Sequence, residues 1–484
     1  MMNRLFIRNL ILVIAINLLI KPVYIFGIDR VVQNIVGPVS YGLFFSIFNF
    51  TYLFQVINDF GLQNFNQSIF SKYDFLIGKY LPKMLGAKLV LGFAYTFIII
   101  LLAWIIGYRL TVWYLLLPIT LNQILVSFLQ FFRTNVSAKG YYHLDSFLSV
   151  ADKLVMIIVC GYLIFISSLK TSFRIEWFIY AQTLSLIVSV AIAIIVLSWI
   201  KKDQVRVYLN WDFTFFRWVL KKSVPFALVW LFMTLYTRID AVMIERLLDD
   251  GEMESGIYAA SYRVLDAASM IGVLFAGLLL PMFSKLIHRG QRVNQLVRLS
   301  ISLIWTFAVI VFGISILFPY EIIGTLYIHA NYYWGEVYQI LMVSILPIAG
   351  AYVYGTLLTA NESLRLMNRI FFAGVIVNLI LNFYFIEIWG AWGAALTTLI
   401  TQSAVVISLC VVAVRETSLQ ISISMVLIKL SFAVITILIG LLMMRLPIPW
   451  VGQLSLFLLA SIITAVLLRQ IPLKQLVSML SSED

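Results

Sequence analysis

The sequence predicts an all-α polytopic membrane protein with about fourteen transmembrane helices. Three observations carry that expectation. Of 484 residues, 62% are hydrophobic and only 12% charged, with a mean hydropathy of +1.00. A soluble domain of this size would lack the polar side chains to cover its surface. The apolar residues fall into fourteen stretches, each near the roughly 20 residues that cross a bilayer as a helix. Basic residues collect in every second connection, as they do on the cytoplasmic side of membrane proteins.

In order, the stretches cover about 9–28, 40–60, 84–106, 110–132, 147–168, 175–200, 223–247, 257–283, 297–318, 334–360, 370–388, 390–414, 422–444 and 448–468. Backbone groups in hydrocarbon have no water to bond, so each stretch is helical. Arg4 and Arg8 precede the first, and no small-residue cleavage site follows it, so it reads as an uncleaved span. Connections are short. The longest polar stretches are about 61–83, 201–222 and 284–298. The middle one opens on Lys201 and Lys202, closes on Lys221 and Lys222, and holds Trp211, Phe213, Phe215, Phe216 and Trp218 between them. Aromatic and basic residues together suit a segment lying at the inner interface. The expected organisation is a six-helix bundle over 1–200, a cytoplasmic interfacial linker over 201–222, a second six-helix bundle over 223–414, and two further helices with a short tail over 415–484.

Orientation follows from the loops. With the N-terminus inside, the inner side receives Lys72, Lys79, Lys83, Arg133, Lys139 and the basic residues of 201–222. Lys285, Arg289, Arg292, Arg298, Arg365, Arg369, Arg415, Arg469 and Lys474 join them there. The outer side receives Arg109, Lys170, Arg174 and Arg445, and an acidic loop with Asp249, Asp250, Glu252 and Glu254. The net charge of +12 is therefore a consequence of topology, and nucleic acid is not needed to explain it. Cys160 and Cys410 lie inside apolar runs, and His143, His288 and His329 fall in three separate loops. Neither set has disulfide-framework or metal-ligand spacing. No phosphate-cradling glycine loop is present, so neither a cofactor nor ATP use is expected.

A weak repeat links two helix starts. Val36-Gly37-Pro38-Val39-Ser40-Tyr41-Gly42 precedes the second span, and Asp250-Gly251 through Ser255-Gly256 precedes the eighth. Both carry two glycines five apart, at an offset of 214 residues, about one six-helix half. Internal repeats of this kind are typical of transporters.

Several stretches extend this into a family resemblance: Arg30 through Tyr41-Gly42; Asp59-Phe60-Gly61-Leu62; Trp211-Asp212 followed by Lys221 to Pro225; Arg238-Ile239-Asp240; Gly256-Ile257-Tyr258-Ala259-Ala260 with Arg263; and Asn378 to Asn382, then Gly390-Ala391-Trp392-Gly393-Ala394-Ala395. Taken in this order, the chain resembles the Wzx-type O-antigen and polysaccharide flippases, a polysaccharide biosynthesis protein family of the multidrug/oligosaccharidyl-lipid/polysaccharide exporter superfamily. The resemblance implies two pseudo-symmetric six-helix bundles around a central cavity, plus two C-terminal helices. It also implies an undecaprenyl-diphosphate-linked oligosaccharide as cargo and a bacterial inner-membrane location, where the loop charges put both termini in the cytoplasm. Membrane lipids and other polysaccharide-assembly membrane proteins would be its partners.

Charges inside spans are costly and usually face a cavity or a partner. Lys21, Asp59, Asp152, Lys153, Arg238, Asp240, Arg263 and Asp266 fall in this class. Lys21 stands mid-span beside Pro22, which breaks the helix ladder. Arg263 and Asp266, at i and i+3, share a helix face. Lys21, Arg30, Lys153, Arg238 and Arg263 are the candidate cavity cations for an anionic diphosphate, Arg being able to fork onto phosphate oxygens. Asp59 and Asp240 are candidates for ion coupling. The alternative for each is a structural ion pair that fixes packing. Tyr24, Tyr236 and Tyr262 could stack on sugars or simply pack, and the small residues around Gly390 and Gly393 suit close helix approach.

Two other functions compete. An ion-coupled drug or cation antiporter of the same fold would favour carboxylates in its cavity, whereas the deep charges here lean positive. A membrane-embedded polymerase or glycosyltransferase would expose sizeable outer loops, and the outer loop around Pro319 to Gly335 holds Glu321 and His329 but no paired constellation. The orientation is testable by reporter fusions. Alkaline phosphatase, active only outside the cytoplasm, should be active when fused at Asp250 and inactive at Lys285; the reverse pattern would overturn the assignment.

Overall fold

Lipid leaves an apolar chain few ways to satisfy its backbone, and the described residues of the computed structural model form fifteen α-helices and no strand. Those residues are 16–63, 77–166, 172–200, 212–417, 419–420, 422–468 and 470. The helices are α1 (Ile16–Leu53), α2 (Gln55–Asp59), α3 (Ile77–Ile106), α4 (Trp113–Ala138), α5 (Tyr142–Gly161), α6 (Ile175–Ile200), α7 (Phe213–Leu247) and α8 (Gly251–His288). They continue with α9 (Asn294–Leu317), α10 (Pro319–Leu326), α11 (Tyr332–Val343), α12 (Ile345–Ala360), α13 (Leu364–Thr417), α14 (Ile423–Met443) and α15 (Trp450–Leu467).

Among the described residues, twelve segments are long and apolar enough to cross a membrane. Two of them, α1 and α13, each contain a pair of expected spans joined at a non-helical glycine: Gly37 at φ 82° and Gly390 at φ 58°. Counting each side of these bends separately recovers fourteen spans. A side chain disfavours these backbone angles, which is why glycine stands at both bends. Beyond Gly390, Ala391, Ala394 and Ala395 are fully buried, as expected for close helix packing.

The structure revises two local expectations. Glu252 and Glu254 belong to the first turn of α8 and not to a loop; carboxylates there favourably face the positive end of the helix. Asp249 and Asp250 remain exposed before it. The interfacial stretch is helical from Phe213 onward, continuous with the seventh span. Asp212 caps that helix by accepting from the Phe215 N–H at 3.0 Å and pairs with Lys83 at 2.6 Å. That hydrogen bond from Lys83 holds the Asp212 carboxyl below its ordinary range. Trp211, Lys201, Lys202, Arg206, Lys72, Arg4 and Arg8 lie outside the described residues.

By internal packing the chain forms two compact units, Met1–Gly256 and Ile257–Asp484. In the first, α4 packs on α6, α5 on α6, α1 on α4 and α7, and α2 on α3. Leu81, Leu85, Phe131, Phe132, Leu148 and Leu186 centre its core. In the second, α12 and α11 pack on α13, α9 on α12, and α14 on both α9 and α15. The last two helices thus join this unit through Val309, Phe432 and Ala465, all fully buried.

Within the first unit, the two glycine motifs of the internal repeat meet. A Cβ on Gly42 would overlap the Glu252 carbonyl oxygen, and one on Gly256 would overlap the Pro38 carbonyl. Ser255 Oγ donates to the Gly42 carbonyl at 3.2 Å, and Gln33 Nε2 donates to the Gly256 carbonyl at 2.9 Å. Backbones this close exclude any side chain. Gly42→Val and Gly256→Val should each lower stability by about 1–3 kcal/mol through overpacking, read as earlier loss of the monodisperse peak after heating in detergent. Gly277→Ala, where a Cβ meets nothing within 4 Å, should leave the profile unchanged.

Candidate functional site

Helix α1 is irregular where its charges lie. Pro22 supplies no N–H, and residues Ile25–Asp29 form a π-turn in which the Arg30 N–H bonds the Ile25 carbonyl. A π-turn inserts an extra residue and re-aims the side chains beyond it, and such turns recur at functional sites. Asp29, buried, accepts from the Tyr41 hydroxyl at 2.7 Å. The Arg30 Nε is buried without a hydrogen bond among the described residues.

Lys21 sits in a cationic neighbourhood. It is partly buried, and Arg133, Lys153 and Asp152 act on it electrostatically. Arg133 holds Asp145 at 2.9 Å, and Lys153 holds Asp152 at 3.0 Å. Both carboxylates are thus engaged by other cations, and Lys21 is left with no ion pair or hydrogen bond among the described residues. Three cations against two carboxylates leave one positive charge within the span. Lys153 also lies 4.6 Å from the Tyr24 ring centroid, so this tyrosine serves a cation–π contact.

Asp59 is engaged as well. Its Oδ1 accepts from Lys88 Nζ at 2.8 Å, and its Oδ2 from the Gln63 N–H at 3.3 Å. Lys88, a residue sequence reasoning passed over, is fully buried and donates also to Ser127 Oγ at 2.5 Å. Its signal was present as a lone lysine inside the apolar run 84–106. Asp59 ends α2, and Phe60 follows at φ 46°, a left-handed conformation costly for a non-glycine residue. Beside the pair opens a cleft of about 220 Å³, bordered by Tyr52, Gln55, Asp59, Gln63, Gln130 and Trp230.

On α7, Arg238 lies over the Tyr52 ring at 5.8 Å, and Asp240 is fully buried. Further along, Glu245 accepts from Ser46 at 3.3 Å and Tyr108 at 3.2 Å and holds Arg246 at 3.5 Å. Burial pushes the Tyr108 phenol above its ordinary range, so it stays a proton donor. Glu245 was also missed, being placed at the span end.

In the second unit, Arg263 and Asp266 are both partly buried on α8. Tyr236 in the first unit and Tyr262 in the second are buried; the Tyr262 ring stands 5.5 Å from that of Tyr258. Asn382 Nδ2 donates to Asn378 Oδ1 at 3.1 Å, both residues fully buried on α13. Lys429 on α14, another lysine missed in an apolar run, donates to Ser302 Oγ at 2.9 Å and Gln470 Oε1 at 3.3 Å. It borders an apolar cavity of about 530 Å³. Among the described residues no cluster of three or more His, Cys, Asp or Glu could hold a metal ion.

The comparisons agree with this architecture. The model of the family described as "Polysaccharide biosynthesis protein" matches residues 6–287. A structure of the lipid II flippase MurJ in an inward-closed conformation superposes with a TM-score of 0.71 at 15% identity, covering 96% of this chain and 100% of that one. An inward-facing multidrug resistance transporter of the MATE family and MOP superfamily gives 0.60 at 11% identity, covering 81% and 94%. A MOP-superfamily transporter from Pyrococcus furiosus, described as having a binding pocket of reverse polarity, gives 0.58 at 13% identity, covering 85% and 94%. No curated protein matches by sequence. At these identities the structural likeness establishes the fold, which the chain shares with these structures.

The buried pair gives a direct test. Lys88→Met leaves the Asp59 carboxylate, partly exposed at the cleft, without its cation and should cost about 1–3 kcal/mol, read as thermal unfolding in detergent. Adding Asp59→Asn should recover most of that loss; a double variant as unstable as the single one would show that packing, not charge, is what Lys88 supplies.

Proposed function

Because the chain belongs to the polysaccharide biosynthesis protein family, we propose that it is a flippase for an undecaprenyl-diphosphate-linked oligosaccharide, an O-antigen or capsular repeat unit. It acts in the bacterial cytoplasmic membrane with both termini in the cytoplasm. The observation that carries this reading is Lys21: a partly buried cation within a span, beside two further cations whose carboxylates are already held. An unpaired charge in hydrocarbon is expensive, and an incoming diphosphate is the ligand that removes the expense. Arg30, with its Nε buried and unbonded, is a second donor to phosphate oxygens, and Lys153, Arg238 and Arg263 complete the proposed cation set. The polyprenyl tail stays in lipid while the head group passes by alternating access.

An antiporter for cations would present open carboxylates. Asp59, Asp145, Asp152 and Glu245 each hold a cation instead, which favours an anionic cargo. Ion coupling is assigned to Asp240, a fully buried carboxylate, and to Asp59, whose bond to Lys88 a proton or sodium ion would have to displace.

Deletion of the gene should accumulate lipid-linked repeat units on the inner leaflet. Complementation with Lys21→Ala or Arg238→Ala should restore at most about a tenth of surface glycan. Lys21→Arg should restore most of it. Normal export by the Ala variants of Lys21, Arg30, Lys153, Arg238 and Arg263 alike would end the anion-binding reading.

A further inference from the structure

From the cleft at the end of α2 we infer a monosaccharide subsite, one that takes a single uncharged pyranose ring of the cargo. The inference rests on the flippase reading above and names the part of the cargo this cleft would recognise.

Its size, its walls and its charge point the same way. A volume of about 220 Å³ is on the scale of one sugar ring, not of a whole oligosaccharide. One wall is aromatic: the Tyr52 and Trp230 rings lie 5.6 Å apart, inclined at 58°. Such rings offer apolar faces to the C–H side of a pyranose while keeping a polar edge. The lining also holds planar polar groups. Gln63 Nε2 donates to Gln130 Oε1 at 2.8 Å, so the two amides are aligned edge to edge. That bond uses one donor of Gln63 and one lone-pair site of Gln130. The Gln63 carbonyl oxygen and the Gln130 amide nitrogen keep their hydrogen-bonding capacity, an acceptor and a donor that suit hydroxyls, each of which both gives and takes a proton.

Charge separates a sugar from the alternatives. Among the described residues, the only ionised group bordering the cleft is Asp59, neutralised from behind by Lys88, which is itself fully buried and out of a ligand's reach. The lining itself is therefore electrically balanced, with Arg238 beyond it over the Tyr52 ring. A metal or organic cation would have to displace Lys88 from Asp59. A uronic acid would bring an unmatched anion beside a carboxylate. A flat apolar compound would cover both glutamine amides without giving them partners. A neutral polyol with one apolar face meets every wall. The cleft also lies at the end of its helices that carries Lys83, Arg133 and Lys139, the loading side in the orientation expected from the loops.

The test uses full-length protein in nanodiscs and saturation-transfer NMR with methyl glucoside, galactoside, mannoside and N-acetylglucosaminide as probes. Methyl glucuronide is the charged control. At least one neutral pyranoside should receive saturation at its ring C–H protons. Trp230→Ala and Gln130→Ala should reduce that signal at least fivefold, Trp230→Phe should retain most of it, and the glucuronide should be at least fivefold weaker. Gln130 is exposed, so its variant tests the subsite even where Trp230→Ala fails to fold. Absence of transfer to every neutral probe, or an undiminished signal in both Trp230→Ala and Gln130→Ala, would overturn the subsite. The two readings fail separately. A deletion strain that accumulates lipid-linked units while no pyranoside binds keeps the flippase and removes the subsite. Binding lost in the variants, in a protein whose deletion accumulates no such units, does the opposite.

Discussion

The cost of holding charge away from water orders this structure. In the described part of the first unit, Asp59, Asp145, Asp152 and Glu245 are each bound to a cation, and two of the pairs tie helix to helix: Lys88 on α3 to Asp59 on α2, and Arg133 on α4 to Asp145 on α5. Once these partners are fixed, the cations that remain without a carboxylate become meaningful. Lys21 has two cationic neighbours and no ion pair among the described residues, and Lys429 in the second unit is held by a hydroxyl and an amide.

Backbone irregularity falls beside the same groups. Pro22 and the π-turn at Ile25–Asp29 bracket the stretch between Lys21 and Arg30. Phe60, left-handed, follows Asp59 directly. In lipid a broken helical bond has no water to replace it, so such breaks persist only where protein re-satisfies the backbone or a cavity wets it. Gly37 and Gly390 are of another kind. They bend α1 and α13 where short connections leave no room for a loop, and glycine alone tolerates the angles.

The glycine motifs show how a weak sequence signal gains content. Two glycines five apart, repeated 214 residues later, are too short a pattern to mean much alone. In the folded chain Gly42 lies against Glu252, and Gly256 against Pro38, so the repeat marks a backbone-to-backbone contact that no side chain could share. The order of such motifs along the chain, and not any one of them, carried the family resemblance that the match over residues 6–287 then established.

The sequence by itself determined the solvent, the helical class, the span count and the basic side, because hydropathy and loop charge act locally and sum along the chain. It also singled out the charges worth examining, Lys21, Arg30, Asp59, Lys153, Arg238, Asp240 and Arg263. It did not tell which were spent on one another, and it passed over Lys88, Glu245 and Lys429. For Lys88 with Asp59 and Arg133 with Asp145, pairing depends on distances of about 3 Å between residues 29 and 12 positions apart, and those are set by which helices touch. The cleft between Trp230 and the glutamines is likewise assembled from α1, α2, α4 and α7. No stretch of sequence contains it, because its chemistry exists only where four separate helices come together.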